Sequence, residues 1–175
     1  KTLKENGIKV AHVVSSSKFA LKCQDARVDA VVAEGFEAGG HNGREETTTL
    51  CLIPNVRKMI DIPLKAAGGI ADAKSMLATM ILGAEGVQIG SRFVATNEAS
   101  SHLNFKNKIL EAKEGDTELV MKSITPVRLL KNDFYNEIKK AEDNCVSKEA
   151  LISILGRARA KMGMHEGDLI EGELE

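Results

Sequence analysis

The residues best suited to chemistry fall in three short stretches. The first, Ala33-Glu34-Gly35-Phe36-Glu37-Ala38-Gly39-Gly40-His41-Asn42-Gly43, closes an apolar run with a loop that holds four glycines and one histidine. Without a Cβ, the backbone at Gly39 and Gly40 can come close to a planar ligand. An imidazole titrates near neutrality, so His41 at the end of a strand can take a proton from carbon or give one to a developing anion. A histidine that only hydrogen-bonds within its loop is the plain alternative, and the glycine setting weighs against it.

The second stretch, Ala66-Ala67-Gly68-Gly69-Ile70-Ala71-Asp72, reads as a strand that stops at two glycines before a helix starts. Unpaired N–H groups and the positive end of the helix dipole at such a junction make a phosphate site. A tight turn in which Gly69 permits positive φ and Asp72 caps the helix explains the same residues equally well. The third stretch, Gly83-Ala84-Glu85-Gly86-Val87-Gln88-Ile89-Gly90-Ser91-Arg92-Phe93, again ends a strand in glycine, followed by a hydroxyl that can bond a phosphate oxygen. Glycine termini after successive strands are how a barrel grips one phosphate between two loops. No stretch has the spaced glycines and following acid of a dinucleotide fingerprint, and no lysine follows a glycine loop as in nucleoside-triphosphate sites.

Parallel strands must position these loops. Apolar, β-branched runs at 8–15, 28–35, 63–69 and 86–94 predict four buried strands. Helices are predicted between them at 17–26, around 50–60 and at 72–82, the last from the spacing of Met76, Leu77, Met80 and Ile81. The alternation allows an open doubly wound sheet or a closed barrel. Clustering of glycine and polar residues just past the strand ends favours the barrel, whose active site lies on that face. A barrel needs eight strands and about 250 residues. The remaining strands are therefore expected upstream in a longer chain, as the start without Met also suggests, or from a partner, with a homodimer left open. Beyond Val94, a polar helix-prone excursion is expected at 97–114, an extended segment at 122–128, and helices at 132–142 and 148–161. The last ten or so residues, with Gly167, Gly172 and many acids, carry little structural signal. Arg92, Glu98, Ser100, Ser101 and His102 line a substrate entrance or, as the preferred reading, form a solvated face.

Composition sets outer bounds. A 43% hydrophobic content suffices for a substantial core, and 24 basic against 25 acidic residues give a net charge of −1, with no field to hold nucleic acid. No run approaches the roughly 18 apolar residues of a membrane span, and the opening Lys1-Thr2-Leu3-Lys4-Glu5 lacks a signal peptide's apolar segment, so a soluble, cytoplasmic protein is expected. Cys23, Cys51 and Cys145 are odd in number and widely spaced, which fits reduced structural thiols and no metal site.

At Glu37-Ala38-Gly39-Gly40-His41, Ala66-Ala67-Gly68-Gly69-Ile70 and Gly83 through Phe93, the sequence resembles the nitronate monooxygenase family, which includes the FMN-dependent enoyl-[acyl-carrier-protein] reductases of type II. The resemblance runs from about Ile8 to Val127, and the tail around Glu166-Gly167-Asp168 is similar to the reductase branch. It implies a TIM (β/α)8 barrel, present here as its C-terminal part of about four βα units (1–96), followed by a helical excursion and C-terminal extension (97–175). It implies FMN bound by Glu34, Gly39, Gly40, Ala67, Gly68, Gly69, Gln88, Gly90 and Ser91, no metal, and His41 as the catalytic residue. In the monooxygenase branch His41 would act as base towards an alkyl nitronate that is oxidised with O2. In the reductase branch the flavin would pass hydride from NAD(P)H to an enoyl thioester. Glu34 stands where the first branch commonly has glutamine and the second glutamate. A phosphate-binding barrel enzyme without redox chemistry would use the same glycine grip.

Overall fold

The computed structural model describes residues 2–175, and Lys1 lies outside the described residues. The chain divides into two compact units, one made of residues up to Ala38 with Gly43–Ile89, the other of Gly39–Asn42 with Gly90–Glu175.

The first unit opens with one helical turn, α1 (Thr2–Glu5), and then alternates strand and helix as the apolar runs predict: β1 (Ala11–Val14), α2 (Ser17–Asp25) and β2 (Ala30–Glu34). The chain then contributes β3 (Gly40–His41) to the second unit and returns as α3 (Thr49–Arg57), β4 (Leu64–Ala67), α4 (Ala73–Ile81) and β5 (Gly86–Gln88). The four longer runs form one all-parallel sheet in the order β1-β2-β4-β5. Strand order thus follows chain order without the reversal that defines a doubly wound sheet.

Alternation assigns the two faces. Val14, Ala33, Ala66 and Val87 align in one row across the sheet, and with Ala20, Leu52, Ile53 and Val56 from α2 and α3 they build the core. Full burial of side chains such as Ile53 and Leu64 contributes about 1.5–3 kcal/mol each. The rows between them, Val13-Val32-Lys65-Gly86 and Glu34-Ala67-Gln88, point the other way. The predicted strand at 86–94 is only half extended. Its second half is a short helix, α5 (Ser91–Val94), because Gly90 at φ −94° and ψ −86° leaves the β region, and a short apolar run by itself does not distinguish strand from helix.

In the second unit, α6 (Leu103–Glu111) occupies part of the predicted excursion, and β6 (Thr117–Val120) and β7 (Val127–Leu130) form an antiparallel pair with β3 on the far edge of β7. The extended segment expected at 122–128 starts as a turn, in which Met121 takes φ +60° and Ile124 N–H bonds Met121 O. Pro126 lies just ahead of β7, where its missing N–H costs no ladder bond. A further helix, α7 (Asp133–Asp143), packs Phe134, Tyr135 and Ile138 against Val120, Met121, Val127 and Leu129. The single helix expected at 148–161 is two, α8 (Lys148–Leu155) and α9 (Arg159–Met164), divided where Gly156 and Ala158 both take positive φ. Among the described residues no helix is long and apolar enough to cross a membrane.

The C-terminal residues, silent in the sequence, are tied down. Leu174 is fully buried beside Phe105 and Leu130, Leu130 N–H donates to Leu174 O at 2.9 Å, and Glu173 N–H donates to Arg159 O at 3.0 Å. Asn132 is the clasp. Its Oδ1 accepts from Tyr135 N–H at 2.9 Å as the cap of α7, and its Nδ2 donates to Gly172 O at 2.8 Å and Leu169 O at 3.0 Å. Replacing Asn132 with Ala removes both functions and is expected to lower stability by about 1–2 kcal/mol. Urea denaturation measures the loss, and Asn132→Asp, which keeps the cap but not the donor, should recover part of it.

Candidate functional site

In the first unit the parallel register gathers strand ends. Glu34, Ala67 and Gln88 stand side by side in one row at the C-terminal ends of β2, β4 and β5, with Gly68 and Gly69 immediately beyond. Burial pushes the Glu34 carboxyl above its usual range, because the charged form loses hydration. The glycine pair follows the turn geometry: φ is +96° at Gly68 and +68° at Gly69. The side chain of Asp72 accepts from Ser75 N–H at 2.8 Å in a reciprocal capping box that starts α4. A Cβ at Gly68 would lie 2.6 Å from Gly35 O, and one at Gly69 would lie 3.2 Å from Glu37 Cβ. Glycine is therefore demanded at 68 and 69 by the chain's own packing as well as by backbone sign.

Two residues that the sequence reading gave no role of their own hold this turn. The N-cap of α3, Thr48, makes no side-chain bond, and the Glu37 carboxylate takes its place by accepting from Thr49 N–H at 3.0 and 3.1 Å. Thr49 Oγ1 lies 2.8 Å from Gly68 O and 3.1 Å from Glu37 Oε2, within donating reach of either. This network fixes the glycine turn from below. It joins residues far apart in sequence, so no local pattern reveals it.

In the second unit His41 does not hang on a free loop. It pairs with Val127 across the β3–β7 ladder while Gly40 pairs with Arg128, and Asn42 N–H donates to Pro126 O at 2.8 Å. A two-residue strand shows no periodicity, which is why the sequence reads as loop. The imidazole side chain remains 66% exposed, with Nδ1 3.6 Å from Glu175 Oε1. The neighbouring glycines face the same residue: a Cβ on Gly39 would lie 3.4 Å from the Glu175 carbonyl carbon, and one on Gly40 would lie 3.1 Å from Glu175 Oε2. A pocket of about 220 Å³ beside His41 is lined by Met121, Ile124, Val127 and Leu155, with Arg159 and Glu173 as its charged members. Burial holds the Glu173 carboxyl above its ordinary value, the Glu175 charge adds to the shift, and His41 opposes it.

Gly90 also belongs to this unit. It is the N-cap of α5, followed by Ser91, and a Cβ there would meet nothing within 4 Å. Among the residues considered as an entrance, His102 and Ser101 have structural duties. His102 Nδ1 accepts from Asn104 N–H at 3.1 Å as the cap of α6, and Ser101 Oγ donates to Val94 O at 2.9 Å. Cys23, Cys51 and Cys145 are free thiols, and among the described residues no group of three or more His, Cys, Asp or Glu side chains could hold a metal ion.

The family model described as nitronate monooxygenase matches residues 1–174. A probable nitronate monooxygenase of Staphylococcus saprophyticus is 38% identical over 152 residues, covering 81% of this chain and 42% of the relative. FabK from Thermotoga maritima is 40% identical with a TM-score of 0.91, over 99% of this chain and 55% of that one. Nitroalkane oxidase from Streptomyces ansochromogenes is 28% identical with a TM-score of 0.75, over 98% of this chain and 52% of that one. The chain thus spans about half the length of the proteins it matches. With the family model matching residues 1–174 and a relative of that description 38% identical, the chain belongs to the nitronate monooxygenase family.

Proposed function

We propose that the protein carrying this chain is an FMN-dependent oxidoreductase, a nitronate monooxygenase that oxidises alkyl nitronates with O2 and uses His41 as its base. The observation that carries the reading is the His41 imidazole itself, 66% exposed beside a pocket and flanked by a carboxylate, as a proton-transferring group requires. The unreversed strand order β1-β2-β4-β5 supports these strands as part of a (β/α)8 wall.

The residues fit a phosphorylated flavin. Open space over Gly90 lets a phosphate oxygen approach the backbone, the N–H groups of Ser91 and Arg92 precede the first helical bond of α5, which Phe93 N–H makes to Gly90 O at 2.9 Å, and the Ser91 hydroxyl can donate. In this unit Gly39 and Gly40 are the further flavin contacts proposed. In the first unit the proposed contacts are Glu34, Ala67 and Gln88 with the N–H groups of Gly68 and Gly69. Flavin, when bound, supplies the redox chemistry, and the chain binds, orients and moves protons.

A second reading, an NAD(P)H-dependent enoyl-[acyl-carrier-protein] reductase acting on an acyl thioester, is favoured by Glu34 in place of glutamine and by the likeness to FabK. An absorption spectrum of the purified full-length protein tests the shared part: oxidised-flavin bands are expected. A colourless protein free of flavin would reject both versions in favour of a phosphate-binding barrel enzyme without redox chemistry. Nitronate-dependent oxygen uptake, against enoyl-thioester-dependent oxidation of NAD(P)H, then separates the two, with the first expected.

A further inference from the structure

The geometry points to Glu175 as the positioning residue of His41: its carboxylate selects the imidazole tautomer with the proton on Nδ1 and leaves the Nε2 lone pair as the base. Its bearing on catalysis rests on the proposed role of His41.

Three independent features place that carboxylate. Glu175 Oε1 lies 3.6 Å from His41 Nδ1, an electrostatic contact rather than a short hydrogen bond. Gly39 and Gly40 supply the room, since side chains there would come within 3.4 and 3.1 Å of Glu175. The preceding residue, Leu174, is fully buried, and its carbonyl is bonded by Leu130 N–H at 2.9 Å, so Glu175 follows an anchored link rather than a loose end. Gly163 completes the seat, where a Cβ would fall 2.5 Å from Glu173 O.

A neutral histidine side chain in water prefers its proton on Nε2, which would leave the outward nitrogen unable to accept one. A negative charge beside Nδ1 reverses that preference, because it attracts a proton on the near nitrogen and repels a lone pair there. Among the described residues, the other charged groups lining the pocket beside His41 are Glu173 and Arg159. Arg159 is engaged by Glu171 Oε2 at 2.8 Å, and the carboxylate in contact with the ring is that of Glu175, 3.6 Å from Nδ1, so Glu175 is the charge that decides the tautomer.

The test is ¹⁵N NMR of the His41 ring in the full-length holoenzyme, at a pH where the imidazole is neutral. The parent protein should show a protonated Nδ1 and a bare Nε2. Glu175→Gln should move the pattern towards Nε2–H and lower kcat several-fold, with KM and flavin content unchanged. Glu166→Gln, which removes the partner of Lys161, should change nothing. Unmoved ring resonances in Glu175→Gln, or Nε2–H already dominant in the parent, would overturn the assignment. The tautomer pattern reads the contact whether or not His41 is the base, so failure of that role, seen as undiminished turnover in a His41 variant, is a separate result.

Discussion

Replacing His41 with alanine is expected to lower turnover by about 10²–10⁴-fold, the usual effect of removing one positioned acid–base group, while leaving flavin bound and the fold intact. The structure explains why the effect should be confined to chemistry. The β3–β7 ladder is made by backbone groups, so alanine keeps the pairing with Val127. The ring is 66% exposed, so its loss leaves no interior cavity. Steady-state kinetics beside a visible spectrum and a melting curve check all three parts. Turnover equal to that of the parent protein would remove His41 from the mechanism.

The largest effect on stability is expected from Gly68→Val. At φ +96° a β-branched residue is strained, and its Cβ would lie 2.6 Å from Gly35 O and 3.0 Å from Thr49 Oγ1. The close atom is backbone at the end of β2 and cannot swing aside. Backbone strain and overpacking each cost about 1–3 kcal/mol, against a total stability of roughly 5–15 kcal/mol for a native protein. A large fall in urea midpoint or loss of soluble protein should result. Gly90→Ala makes the opposite case: φ is −94° and the added methyl meets nothing. Its melting temperature should stay put while flavin dissociates more readily. If Gly68→Val melts like the parent, glycine is not structurally required there, and if Gly90→Ala holds flavin unchanged, the phosphate does not rest on that backbone.

The stability cost at Gly68 also shows how one sequence feature can have two causes. Glycine pairs after strands read as room for a ligand, and at Gly90 that space exists. At Gly68 and Gly69 the same residue type answers first to Gly35, Thr49 and Glu37. A sequence records that a side chain is forbidden, but not which neighbour forbids it.

Local chemistry is enough to read the parallel strands, the helices α2 and α4, the cap at Asp72 and the family motifs, because each depends on residues within a turn or a strand of one another, whereas the order of the strands in the sheet is set by their pairing. The short ladder partner of His41 and the strand β6 are decided by tertiary pairing, which overrides weak local preference in segments too short for a period. The same holds for the contacts that shape the site. Glu37 reaches Thr49 across a loop, and Glu175 reaches His41 from the far end of the chain. Electrostatic contact depends on distance in space, and only the folded backbone brings those charges together.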